Sequence, residues 1–96
     1  MLRPNYTSRF KKDVKRLKKK HIDMIPLRNV MQLIIDDTPT AKSELKRRHN
    51  MHVLKGDWGG SFECHVANAG DWLLIWTTSK DQAYFQRTGS HDELFA

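Results

Sequence analysis

Three histidines, His52, His65 and His91, raise the question of chemistry in this chain of 96 residues. Histidine titrates near neutrality and serves as either acid or base. His52 and His65 flank the turn "DWGG" in "HVLKGDWGGSFECHV". If the runs 51–55 and 61–67 pair around a turn centred on Trp58 and Gly59, His52 faces His65 directly, within about 5 Å at Cβ. Glu63 lies two residues from His65 and shares its face, because strand side chains alternate. A register slip of one residue would break this grouping. His91 stands apart with Phe95 in the closing "RTGSHDELFA". Chain ends fray unless something ties them down, so an ordered tail would imply a use for both.

Such a set suits metal-free RNA cleavage. That reaction needs a base for the 2′-OH proton, an acid for the departing 5′-oxygen, and positive charge around the phosphate. Carboxylates orient histidines or raise their basicity, and arginine grips phosphate through two parallel hydrogen bonds. The 2′-OH restricts the chemistry to RNA. A metal reading competes: His49 and His52 are spaced H-x2-H, and His65 and His91 could complete the set, although zinc sites commonly use cysteines or tighter spacings. Each histidine taken alone reads as an ordinary surface residue. The set carries the argument.

The elements that must position these residues follow from pattern. "RPNYTS" reads as a short edge strand, with Ser8 as an N-cap. Phe10, Val14, Leu17 and His21 recur at helical spacing, giving an amphipathic helix of roughly three turns. "DMIPLRNVMQLIIDDTP" predicts a second helix, capped by Asp23, with Pro26 in its first turn and a stripe of Leu27, Val30, Met31, Ile34 and Ile35. Thr38-Pro39 is expected to stop it, and the polar "TAKSELKRRHN" reads as at most one surface helical turn. "HVLKG", "SFECHVA", "DWLLIWTTS" and "QAYFQRTG" then read as four strands with short turns, an antiparallel meander. The fold class is α+β: two N-terminal helices on one face of a four- to five-stranded, mainly antiparallel sheet, with a short C-terminal helical turn. Residues 1–96 form one domain, having no room for two cores.

Composition narrows the function. One cysteine excludes an internal disulfide and fits a reducing compartment, with cytoplasm the expected location. No apolar run reaches the length of a membrane span, and the N-terminus lacks a secretory pattern. The net charge of +6 is concentrated: residues 1–20 carry nine Lys/Arg against the single acid Asp13. A face of that kind attracts polyanions or an acidic protein, or simply keeps a helix solvated.

"HVLKGDWGGSFECHV", "DWLLIW" and "FQRTGSHDELF", with the helical "SRFKKDVKRLKKKHIDMIPLRNVMQLI", together resemble the YafQ branch of the RelE superfamily of bacterial toxins, over nearly the whole chain. The resemblance implies an endoribonuclease that cuts mRNA in the A site of the 70S ribosome, needs no metal or other cofactor, and stays off the membrane. It also implies neutralisation by a DinJ- or RelB-like acidic antitoxin in a heterotetrameric complex. His52, His65 and His91 match the family's histidines, and Phe95 its terminal phenylalanine. Its acidic positions fall at Glu63 and Asp71. His91 is then the proton donor, with His52 and His65 as base and phosphate stabiliser in an open order. Phe95 stacks on a base or packs down the last turn. Arg87 contacts phosphate or forms a salt bridge to Glu63 or Asp71, and Lys11, Lys12, Lys15 and Lys55 contact RNA or remain solvated. Two departures stand out. Glu63 occupies a position where Asp is expected, and the turn "VANAGDW" is longer, so Asp71 reads equally as a turn or capping residue.

The alternative class is a non-catalytic relative, a ParE-like topoisomerase poison or an RNA-binding subunit, which has no need of three histidines together. The histidine set distinguishes the two readings. Gly89 and Ser90 supply a turn and a cap, Leu94 pins the last turn, and deleting residues 90–96 is expected to abolish RNA cleavage while sparing the fold.

Overall fold

The computed structural model describes residues 1–67 and 70–95. Its elements run β1 (Arg3–Tyr6), α1 (Ser8–Lys19), α2 (Ile25–Asp36), α3 (Pro39–His49), β2 (His52–Val53), β3 (Phe62–His65), β4 (Leu73–Ser79), β5 (Gln82–Gly89) and α4 (His91–Phe95), with a 3-10 turn over Gly56–Trp58. Five strands form one sheet in the order β1-β5-β4-β3-β2. β1 runs parallel to β5, and the other pairings are antiparallel, as the meander predicts. The α+β expectation holds.

Local chemistry differs from expectation at the helix ends. Thr7, one residue before Ser8, caps α1 by accepting the Phe10 amide. Asp37 ends α2 in the left-handed conformation, and Thr38 and Pro39 then start α3 instead of merely stopping α2. Thr38 accepts the Ala41 amide, and proline in the first turn has no amide to lose. The polar segment is therefore an 11-residue helix, with only Ala41 and Leu45 buried. Two apolar positions four apart are enough to seat a helix but too few to announce one.

The sheet separates two cores. On one face Leu27, Val30, Ile34 and Leu45 from the helices meet Cys64, Leu74, Trp76, Ala83 and Phe85. On the other, Leu73 and Ile75 are covered by Leu94 of α4, with Leu54 and Trp58 against them. A bulge makes this possible: Ile75 pairs with Arg87 and Trp76 with Phe85, leaving Gln86 as the extra residue. Strict alternation would put Phe85 and Arg87 on one face. The bulge sends Phe85 to the helices and Arg87 to the face of Ile75.

Beyond the short β1, the outer edge of β5 is closed by α1. Thr7 Oγ1 donates to the Gln86 carbonyl, and Asp13 accepts the Thr88 amide. The same carboxylate takes Arg87 Nε at 2.7 Å, Arg87 Nη2 at 3.1 Å and Arg16 Nη1 at 2.9 Å. Burial opposes its charge, but the bonds from Arg87, Arg16 and the Thr88 amide more than offset this, holding Asp13 below the ordinary carboxylate value.

Asp13→Ala leaves Arg87 buried without its counter-charge and should cost about 3–5 kcal/mol in chemical denaturation. Because the folded-state value is depressed, the stabilisation is complete above the unfolded value of about 3.9 and disappears as pH falls below it. Acidification from about pH 5 to about pH 3 should therefore lower the Tm of the wild type more than that of Asp13→Asn.

Candidate active site

The open face of the sheet carries the histidines, but in a different register. His52 pairs with Glu63 and Val53 with Phe62, so His65 is not the residue opposite His52. The 3-10 turn over Gly56–Trp58 moves the hairpin centre back by one residue, and the Leu54 amide bonds the Ser61 carbonyl. Partners shift by two positions, which preserves the face. His52, Glu63 and His65 still share it, now with His52 Nε2 at 3.2 Å from Glu63 Oε1. His52 Nδ1 lies 2.9 Å from the Asn50 carbonyl, which can only accept, so Nδ1 carries a proton. The contact of Nε2 with the carboxylate is then attractive only when a proton lies between them. Glu63 is nearly buried, at 4% exposure, and its extra methylene relative to Asp lengthens its reach toward this edge strand.

α4 brings in the third histidine. His91 Nδ1 stands 2.6 Å from Asp71 Oδ1, and the same carboxylate accepts the His91 amide at 3.0 and 3.1 Å. Asp71 thus both caps α4 and orients the imidazole, so its two candidate roles coincide. The bond from the His91 amide comes first, then that from the imidazole, and together they hold the exposed Asp71 carboxyl below its ordinary value. With Nδ1 donating to Asp71, His91 Nε2 is the end left for chemistry. Residues 68 and 69 of the long turn lie outside the described residues. The indole N–H of Trp72 anchors the turn's end to Thr88 Oγ1 at 2.9 Å.

The rings of His65 and His91 are 6.4 Å apart, and Phe95 lies 6.1 Å from His91 and edge-on to Trp58 at 6.2 Å. Phe95 remains 43% exposed, so an aromatic face is available beside the histidines. Trp58, the centre of the "DWGG" turn, joins the site through its contact with Phe95, which no local pattern in the sequence could mark. An open cleft of about 360 Å³ beside the site is lined by Lys20, Ile22, Asp71, Trp72, Ser90 and Glu93.

Other predicted residues are placed differently. The Arg87 guanidinium sits on Asp13, not on Glu63 or Asp71. Lys11, Lys12 and Lys15 are exposed on α1, and Lys55 is exposed at the hairpin. His49 turns away from the set, its Nδ1 lying 2.8 Å from the His65 carbonyl, and it lines a cleft between α2 and α3. Among the described residues no three His, Cys, Asp or Glu side chains are grouped to hold a metal ion. Leu94 covers Leu73 and Ile75, so removing residues 90–96 would expose the second core as well as delete His91. Point substitution is the cleaner test.

Asp71→Asn keeps an acceptor for the α4 amide but removes the charge facing His91. If the chain has the endoribonuclease activity that the resemblance implies, the cleavage rate should fall by ~10- to 100-fold while Tm and circular dichroism stay near wild type.

Comparison with known proteins identifies the family. Residues 2–96 match the family described as the bacterial toxin of type II toxin–antitoxin systems, YafQ. The chain is 37% identical over 90 residues to the mRNA interferase toxin YafQ of Escherichia coli strain K12, covering 94% of this chain and 91% of that protein. A copper-bound mutant toxin from Helicobacter pylori superposes with a TM-score of 0.85 at 32% identity, covering 99% of this chain and all of the other. The E. coli DinJ–YafQ complex contains a chain that superposes with a TM-score of 0.80 at 32% identity, with both chains fully covered. On fold, sequence and extent, the chain belongs to the YafQ family of type II toxin–antitoxin toxins.

Proposed function

We propose that this protein is a ribosome-dependent mRNA endonuclease, the toxin of a toxin–antitoxin pair, which cuts A-site mRNA by metal-independent acid–base chemistry in the cytoplasm. The observation that carries the reading is the His91–Asp71 pair, whose imidazole ring lies 6.4 Å from that of His65 beside the face shared by His52 and Glu63. A base removes the 2′-OH proton, the 2′-oxygen attacks phosphorus, and the bond to the 5′-oxygen breaks. His91 Nε2 gives its proton to that leaving oxygen while Asp71 stabilises the imidazolium formed beforehand. His52 and His65 divide the base and the phosphate-stabilising roles.

Phe95, edge-on to Trp58, offers a stacking surface for an unpaired base. Arg87 has Nε and Nη2 committed to Asp13, leaving Nη1 as its route to a phosphate. Lys11, Lys12, Lys15 and Lys55 supply the long-range attraction to ribosomal RNA. The partner that silences the toxin is an acidic antitoxin that wraps this basic surface in a heterotetramer; the E. coli relative's complex with DinJ supports an antitoxin partner.

Induced expression should arrest bacterial growth, and primer extension on a reporter mRNA should show cuts at fixed positions relative to the reading frame. Growth without arrest would instead favour an inert binding subunit, and arrest without cleavage a topoisomerase poison. Equal cutting of free and translated RNA would overturn ribosome dependence. His91→Ala should lose ~10²- to 10⁴-fold in rate, the range general acid–base catalysis supplies. An mRNA with sulfur in place of the scissile 5′-oxygen should restore that loss, because a thiolate leaves without being protonated. Cleavage should survive a metal chelator; loss of activity with chelator, restored by copper or zinc, would return the metal reading to first place.

A further inference from the structure

The His91–Asp71 pair explains how the imidazole is oriented but not what holds its helix. α4 has five residues, well below the length at which a helix is stable alone. Asp71 is an exposed side chain on a turn, so it is a weak foundation by itself. A second tie runs from α4 to α1. Glu93 Oε2 stands 2.7 Å from Arg16 Nε and 3.8 Å from Lys20 Nζ, while Oε1 accepts the Ser90 amide at 2.8 Å. The Glu93 amide in turn bonds Ser90 Oγ, completing a capping box. One carboxylate thus closes its own helix with one oxygen and ties it to α1 with the other.

Arg16 is itself immobilised. Nη1 is held by Asp13 and Nη2 by the Thr88 carbonyl, and the buried Nε makes no in-line hydrogen bond, so Glu93 faces it as a counter-charge. The packing around this contact is tight. A Cβ at Gly89, where φ is +153°, would lie 2.8 Å from Glu93 Oε1 and 2.9 Å from Arg16 Nη2. Glu93 stays ionised: the Ser90 amide first, then Arg16 and Lys20, hold its carboxyl below the ordinary value against the effect of burial.

His91 and Glu93 are two residues apart, about 200° around the helix, so they project from nearly opposite sides. Fixing Glu93 to α1 therefore turns His91 the other way, toward His65. We propose that Arg16 and Glu93 are positioning residues for cleavage, an α1-to-α4 ion pair that sets the angle at which His91 presents its proton. This rests on His91 being the proton donor.

The test uses the full-length toxin and translated mRNA. Glu93→Gln keeps the capping acceptor but removes the counter-charge of Arg16, so α4 can still form. It should lower kcat about 10-fold with KM and Tm near wild type, and the mRNA with a 5′-sulfur leaving group should return it to the wild-type rate. Arg16→Lys, which retains charge but not the guanidinium's contacts, should show the same rescue. A purely structural tether would lower Tm with no rescue by sulfur, and an RNA contact would raise KM with a changed salt dependence. Either result overturns the proposal, as does an unchanged kcat. His91→Ala serves as the reference: if sulfur fails to rescue it too, His91 is not the acid and this proposal falls with that assignment. If sulfur rescues His91→Ala but not Glu93→Gln, only the positioning role fails.

Discussion

The carboxylate of Asp13 is the point on which the arrangement rests. A buried charge persists only when its lone pairs are fully engaged, because desolvation otherwise outweighs any attraction. Asp13 meets that condition with four donors: two from Arg87, one from Arg16 and the backbone amide of Thr88. The last is an edge amide of β5 that no strand pairs, since β1 ends at Tyr6. A single side chain therefore does the work of a missing strand and fixes α1 against the sheet. Arg16, held by the same carboxylate, reaches Glu93 of α4. From one buried acid the order extends to the chain's last helix.

The site follows from a second constraint, the bulge at Gln86. It turns Phe85 toward the helices and Arg87 toward the opposite face within two residues. That leaves Leu73 and Ile75 as a small apolar patch, which Leu94 closes. α4 is thereby laid over the face carrying His52, Glu63 and His65. The two histidine–carboxylate pairs come from different supports: His52–Glu63 across adjacent strands, His91–Asp71 between a turn and a helix. Separate supports allow the two imidazoles to be oriented independently.

Much of this was legible in the chain. The 3.6-residue period of Leu27, Val30 and Ile34 and the alternation of Phe62, Cys64 and Val66 place their elements, because burial on one face imposes those periods. Gly89 and Ser90 mark the start of α4 as a turn and cap, although Glu93's part in that cap appears only in the structure. The histidine pairing was read correctly as to face but not as to partner, since register depends on the turn's conformation and not on its composition. α3 leaves little trace in the sequence because Ala41 and Leu45 are its only buried residues. Asp13, a single acid among nine basic residues, looks like surface charge in the sequence but is buried at 2% exposure.

The amino-acid sequence by itself determined which groups were available: three histidines, their candidate carboxylates, a terminal aromatic and a basic first helix. It also determined that Phe62, Cys64 and Val66 would share one sheet face and Glu63 and His65 the other, because side-chain alternation is a property of the strand itself. Tertiary structure decided the pairings. Arg87 goes to Asp13, 74 positions away, His91 to Asp71, 20 away, and His52 to Glu63. These contacts depend on a bulge, a 3-10 turn and an edge closed by a helix, each set by packing between distant segments. Local pattern names the participants; only the closed three-dimensional path of the chain fixes who faces whom.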